Sequence, residues 1–165
     1  ETRNFQGAFK NGLFFGLIHG FITSILRGKE FWTFKSNKKD NEYYRKANES
    51  EKINYPKHDG VLTFDLLTNL SRSGTNHDHD QPSHLRIKEE QKESPLKSHN
   101  VYGAPEERYC PAKVYEFVKD EKGEPKLQIN AQNCLHCKCC SIKSVDEYID
   151  WNVPQGGEGP KYTIM

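Results

Sequence analysis

Cys134, Cys137 and Cys140 stand at uniform two-residue gaps, and no other feature restricts the fold of this chain as much. Gaps that short hold three thiols on one side of a single tight loop. Cys139 lies inside the same run, so four of the five cysteines, Cys134, Cys137, Cys139 and Cys140, fall within seven residues. Crowded cysteines in an odd number suit a metal site better than a disulfide framework. A set of free thiols in a reducing compartment accounts poorly for spacing this regular.

Three thiolates at such gaps wrap one face of an iron–sulfur cube. Backbone amides of the loop point at the sulfurs and offset their negative charge. A cube takes a fourth ligand, commonly a cysteine that precedes a proline and is remote in sequence. Cys110-Pro111 has that form, and it comes before the run. Between them, Val114-Tyr-Glu-Phe-Val118 and Lys126-Leu-Gln-Ile-Asn130 alternate around the turn-rich Lys119-Asp-Glu-Lys-Gly-Glu-Pro125. This pattern predicts a β-hairpin, whose two ends lie together and set Cys110 beside the run. Zinc is the rival metal, but structural zinc sites usually use two cysteine pairs with a longer loop between them. Cys139 is the spare thiol, because adjacent side chains at 139 and 140 do not easily share one cluster corner. Two readings stand at this point. One is an electron carrier with a four-iron, four-sulfur cluster on Cys110, Cys134, Cys137 and Cys140. The other is a zinc-stabilised docking module.

Only 34% of the 165 residues are hydrophobic and 28% are charged. That is a thin core for the length, and it points to long polar loops or to docking onto more protein. A net charge of +1 leaves no nucleic-acid footprint. The one strongly apolar segment runs from Gly12 to Leu26, with Phe14, Ile18, Phe21 and Ile25 at helical spacing. Gly12, Gly16 and Gly20 form a second stripe that lets another backbone approach closely. A run of about fifteen residues is shorter than the roughly twenty that span a bilayer. Arg27, Lys29, Trp32 and Phe34 follow it and suit a membrane interface. On these residues alone a buried core helix is favoured over an interfacial one.

Residues 35–60 read as a charged, solvated linker, and 61–67 as a short strand or helix. His77, Asp78, His79, Asp80 and His84 are metal-ligand residue types. A mononuclear zinc site needs three or four ligands that converge, and adjacent loop residues often point apart. The expectation is a polar loop whose side chains cap backbone groups. Residues 86–100 read as charged and exposed, and 154–160 as a glycine-rich, irregular tail. No G-x-G-x-x-G follows a strand, so the usual dinucleotide fingerprint is absent from the sequence.

Tyr109-Cys-Pro-Ala-Lys-Val-Tyr-Glu-Phe117, with Leu127-Gln-Ile-Asn-Ala-Gln-Asn-Cys-Leu-His-Cys-Lys-Cys-Cys140 and Ile142-Lys143, resembles the C-terminus of electron transfer flavoprotein–ubiquinone oxidoreductases. So do Gly60-Val-Leu-Thr-Phe-Asp-Leu-Leu67, Gly74-Thr-Asn-His-Asp-His-Asp-Gln-Pro82, Ile25-Leu-Arg-Gly28 with Trp32-Thr33, and Trp151 with the tail Pro154–Pro160. The resemblance implies an α+β chain in three parts. Residues 1–34 are an apolar helix at a membrane interface or docked on a missing FAD domain. Residues 35–100 are linker and polar loops packing on the rest of the enzyme. Residues 101–165 are a ferredoxin-like iron–sulfur domain with a β-hairpin.

The same resemblance implies one cluster on Cys110, Cys134, Cys137 and Cys140, and FAD in a missing N-terminal region or partner chain. It implies electrons taken from reduced electron transfer flavoprotein and passed toward ubiquinone. It places the protein on the matrix face of the mitochondrial inner membrane as a monotopic protein, and it shifts the apolar helix toward a membrane surface. It assigns no catalytic acid or base, since a one-electron relay needs none.

Two departures accompany it. The N-terminal two-thirds of the family protein has no counterpart here. The chain opens on Glu1, as a processed or trimmed piece or a split-gene subunit would. A free-standing ferredoxin-like carrier or an accessory iron–sulfur subunit of a respiratory complex is the alternative. Second, the family usually has threonine where this chain has Cys139. That hydroxyl and the tyrosine matching Tyr115 lie close to the family's cluster.

Overall fold

The apolar N-terminal segment folds as two helices, α1 (Phe5–Phe9) and α2 (Leu13–Ile25), in a computed structural model that describes residues 3–34 and 38–162. They belong to the first of two compact units, residues 1–39; the second is residues 40–165. The glycine stripe sets how α1 and α2 meet. A Cβ at Gly16 would stand 2.4 Å from Cδ1 of Phe9, so the missing side chain admits an aromatic ring rather than a neighbouring backbone.

The face of α2 that turns inward is polar. Gly16, His19 and Thr23 are buried. Thr23 Oγ1 donates to Glu30 Oε1 at 2.8 Å, and Asn4 Nδ2 donates to the other oxygen of Glu30 and to the Trp32 carbonyl at 2.8 Å. The periodic apolar stripe faces the other way. Leu13 is 70% exposed, Phe14 78%, Phe21 68% and Ile25 65%. The described residues therefore do not bury this helix as a core helix, which the residues alone favoured. No described helix is long and apolar enough to cross a membrane.

In the second unit, α3 (Leu66–Arg72) begins where Asp65 Oδ1 accepts from the Thr68 N–H at 3.0 Å. The charged stretch 86–100 is more ordered than its composition suggests. It completes strand β1 (Leu85–Ile87) and opens α4 (Ser94–Tyr102), on which the small residues Ser94, Pro95 and Ser98 are buried. Gly103, at φ 66°, ends α4 in the left-handed conformation that glycine adopts without strain. After α5 (Glu106–Tyr109), the predicted hairpin forms as β2 (Tyr115–Lys119) and β3 (Pro125–Ile129), with Tyr115 opposite Ile129. Asp120 holds its turn by accepting from the N–H groups of Lys122 at 2.8 Å and Glu124 at 2.9 Å. Helix α6 (Cys139–Lys143) and strand β4 (Ile149–Trp151) follow. β4 pairs antiparallel with β1, so Leu85 faces Trp151 across two short strands far apart in the chain.

The core of this unit contains Leu85, Cys110, Val114, Tyr115, Cys134, Cys140, Tyr148 and Ile149. Three cysteines thus occupy core positions, where other small domains place aliphatic side chains. Glu106 is 0% exposed and accepts from Ser98 Oγ at 2.8 Å and from the Tyr148 hydroxyl. The result is a small α+β unit with little apolar mass apart from what surrounds its thiols.

Candidate functional site

The hairpin joins the two halves of the cysteine pattern. The Asn130 N–H donates to the Val114 carbonyl at 2.7 Å, which extends the β2–β3 ladder toward both cysteine segments. Cys110 leaves the end of α5, Cys134 follows β3, Cys137 sits in the loop after it, and Cys140 lies in α6. All four line one cavity enclosing about 300 Å³ of empty space, its mouth included. Cys139, Tyr109, Tyr115 and Trp151 line it too. Cys110, Cys134 and Cys140 are buried, Cys139 is half-buried and Cys137 is exposed.

The backbone of this loop departs from ordinary geometry. His136 and Lys138 adopt φ of 54° and 63°, and Lys113 adopts 49° beside Cys110. Non-glycine residues enter this region at a cost and gather at functional sites. Here the turned backbone aims N–H groups at sulfur. His136 N–H meets Cys134 Sγ at 3.4 Å, and Val114 N–H meets Cys110 Sγ at 3.4 Å. Such a concavity favours an anion. From β4, the Trp151 indole N–H donates to Cys140 Sγ at 3.2 Å.

Burial dominates the charges of the site. It pushes the Cys134 thiol up to about 12, against the His136 N–H that favours the thiolate, and the neighbouring cysteines add to the rise. Burial raises Cys110 in the same direction. Burial and then the adjacent Cys140 sulfur raise Tyr115 as well. Thiols in this state give up their protons only to a strong competitor such as metal.

The cavity fits an iron–sulfur cube. The hydroxyls of Tyr109 and Tyr115 are buried without a hydrogen-bond partner, on residues lining the same space as four cysteines. Orphaned buried donors are costly and call for an acceptor. A cube has sulfide corners that accept. A tetrahedral zinc, with sulfurs at about 2.3 Å, would gather those sulfurs to within about 4 Å of one another. Among the described residues, the set whose ligand atoms all lie within 4.8 Å is His77, His84 and His136, and no cysteine belongs to it. The thiols surround a larger space than one ion fills.

Two neighbours of the site were not assigned from the residues. Trp151 and Tyr109 carried a signal only as part of longer motifs, and nothing local says that their polar atoms reach the cysteine cavity. The His/Asp loop is split in outcome. Asp78 Oδ1 accepts from the Asp80 N–H at 2.9 Å, the capping role expected there. His77 and His84 instead turn inward, 3% and 4% exposed.

The fold and the site together define a small α+β iron–sulfur domain. Over residues 60–163 the chain matches the sequence model of the family described as "Electron transfer flavoprotein-ubiquinone oxidoreductase, 4Fe-4S". It is 52% identical, over 99% of its length, to the mitochondrial electron transfer flavoprotein-ubiquinone oxidoreductases of Arabidopsis thaliana and Caenorhabditis elegans. It is 48% identical over 93% of its length to that of Rattus norvegicus. It spans 26%, 28% and 25% of those three proteins, about a quarter of each. The chain belongs to this electron transfer flavoprotein–ubiquinone oxidoreductase family and carries its four-iron, four-sulfur domain.

Proposed function

We propose that this chain is the electron-relay part of an electron transfer flavoprotein–ubiquinone oxidoreductase, with Cys110, Cys134, Cys137 and Cys140 as the cluster ligands. The observation that carries the reading is the cavity lined by those four cysteines, with the unpartnered hydroxyls of Tyr109 and Tyr115 on its wall. When bound, a four-iron, four-sulfur cluster supplies a one-electron station. The chain does the rest by placement. It excludes water with Leu85, Val114 and Trp151, directs N–H groups at Cys110 and Cys134, and offers tyrosine and indole donors. Hydrogen bonds to cluster sulfur raise the reduction potential, so these donors set the driving force of the relay. No acid or base is needed, and none is assigned.

The electron source in this reading is reduced electron transfer flavoprotein and the destination is ubiquinone. FAD resides in sequence that this chain does not include, or in a partner chain. In this reading the protein lies on the matrix face of the mitochondrial inner membrane, and the apolar face of α2 supports contact with a membrane surface. A helix in water buries its apolar stripe, whereas α2 buries Gly16, His19 and Thr23 and presents Phe14, Phe21 and Ile25. A contiguous exposed apolar face marks a protein or membrane contact. A short helix of this kind rests in the interface without crossing it.

The test uses the full-length enzyme that contains this chain. Cys137→Ser is expected to remove the reduced-cluster EPR signal and electron flow from electron transfer flavoprotein to a ubiquinone analogue, while FAD stays bound. Full flow without the signal would overturn the relay. For the membrane contact, Phe14→Ser with Phe21→Ser is expected to abolish flotation with phospholipid vesicles. Unchanged flotation, with a lowered melting temperature, would place that face against protein instead.

A further inference from the structure

His77, His84 and His136 gather one ring nitrogen each, and the three atoms lie within 4.8 Å of one another. The residues come from different places. His77 stands in the loop after α3. His84 precedes β1, and its carbonyl accepts from the Asn152 N–H at 2.8 Å. His136 sits between Cys134 and Cys137, turned by its φ of 54°.

The contacts around the rings decide the tautomers of two of them. His77 Nδ1 lies 2.8 Å from the Gln132 carbonyl oxygen. A carbonyl only accepts, so Nδ1 carries the proton and Nε2 carries the lone pair. That Nε2 accepts from His136 Nε2–H at 3.0 Å, a proton that a metal ion would displace. His84 Nε2 is buried with no partner at all. An outer N–H held by a carbonyl, as in His77, is the usual orientation of a metal-binding histidine. The ring centroids are 5.4, 5.1 and 4.5 Å apart, and Trp151 packs against His84 at 5.0 Å and His136 at 5.1 Å, which fixes two of the rings.

From this geometry we infer that His77, His84 and His136 form a second metal site, separate from the cysteine cavity, for a zinc-class divalent cation. Zinc takes imidazole nitrogen at about 2.0–2.1 Å, which in a tetrahedron spaces the nitrogens by about 3.3 Å. The observed 3.0 Å pair opens by a few tenths of an ångström to admit it, and the other nitrogens, within 4.8 Å, draw in. Imidazoles select zinc and copper over magnesium or calcium, which prefer oxygen. A solvent-open cavity lined by His77, Asp78, His79 and His84 supplies an entry path and water as a fourth ligand. Lys138, whose ammonium lies over the Trp151 ring at 3.2 Å, opposes a cation here. The negative charge of a thiolate-bound cluster on Cys134 and its neighbours offsets it, and that clause alone rests on the proposed relay. The ion ties residues 77–84 to the cysteine loop at His136.

The experiment uses the full-length, cluster-loaded enzyme, stripped with a chelator, given zinc chloride and desalted. Elemental analysis is expected to show one zinc for every four iron atoms, with zinc K-edge absorption showing imidazole nitrogen and no sulfur. His84→Gln is expected to lose the zinc and keep the iron, and zinc is expected to raise the melting temperature of the parent protein only. Zinc bound through sulfur, or no more zinc in the parent than in His84→Gln, overturns the site. If His84→Gln does not fold, His77→Gln replaces it, and the K-edge spectrum of the parent decides by itself. The iron count reads the cluster independently, so failure of one site is distinguishable from failure of the other.

Discussion

The indole N–H of Trp151 donates to Cys140 Sγ at 3.2 Å, across the gap between β4 and α6. Trp151 holds this pose because it pairs with Leu85 in the β1–β4 ladder and packs against His84 and, edge to face, His136. A donor on a ligating sulfur favours the more negative, reduced cluster. Trp151→Phe keeps most of the packing and removes the donor. If the bond differs by about 1 kcal/mol between redox states, the potential falls by roughly 40 mV for one electron. Redox titration followed by EPR measures it, and an unchanged potential counts against the role.

Cys110→Ala and Cys137→Ser separate the two kinds of proposed ligand position. Cys110 is in the core, whereas Cys137 is exposed. Both variants are expected to lose the reduced-cluster EPR signal and iron. Cys110→Ala is expected to lower the melting temperature further, because it also opens a cavity beside Val114 and Tyr115. Cys139→Ser serves as the contrast and is expected to retain four irons. Iron loss there would make Cys139 a ligand.

Cys139 lines the cysteine cavity from the start of α6. A thiol is a weaker donor than a hydroxyl. Cys139→Thr is expected to raise the cluster potential by tens of millivolts, on the order of one weak hydrogen bond. The same titration checks it, and no upward shift argues against a hydrogen-bonding role at this position.

Glu106 has no exposed surface and accepts from Ser98 and Tyr148. Glu106→Ala strands both hydroxyls in the interior. The expected cost is about 2–5 kcal/mol, read by urea unfolding of the cluster-loaded protein. Glu106→Gln keeps an acceptor and is expected to recover about half of it. Equal losses in both variants would show that charge rather than hydrogen bonding matters there.

Acid reaches the loop ahead of α3 late. Backbone N–H groups of Thr63, Val61 and Leu62 hold the Asp59 carboxyl down to about 2. An unfolded aspartate titrates near 3.9. The folded value is the lower one, so the stabilisation is complete above about pH 4 and disappears as pH falls through about 2. The amide resonances of residues 61–63 are expected to move with a midpoint near 2. A midpoint near 4 would mean that the turn is open in solution.

Much of the site was legible because its signals are local. The two-residue gaps of Cys134, Cys137 and Cys140 confine three thiols to one loop whatever surrounds them. The alternation around Lys119–Pro125 specifies a hairpin, since period two is a property of the strand itself. The bounds of α2 follow from helical spacing for the same reason. Helix α4 was less legible. The charged residues that precede it hide the small Ser94, Pro95 and Ser98, and only packing shows that those three face inward.

The sequence by itself determined the three-cysteine loop, the hairpin and the apolar stripe of α2, because each depends on residues within a few positions of one another. Tertiary structure alone decided which way that stripe faces, that Trp151 and the tyrosine hydroxyls meet the cysteine cavity, and that His77 reaches His136 across 59 positions. Those relations depend on chain reversals at the hairpin and on the β1–β4 pair. Closing such loops costs entropy that only the assembled core offsets, so no short window of sequence contains them.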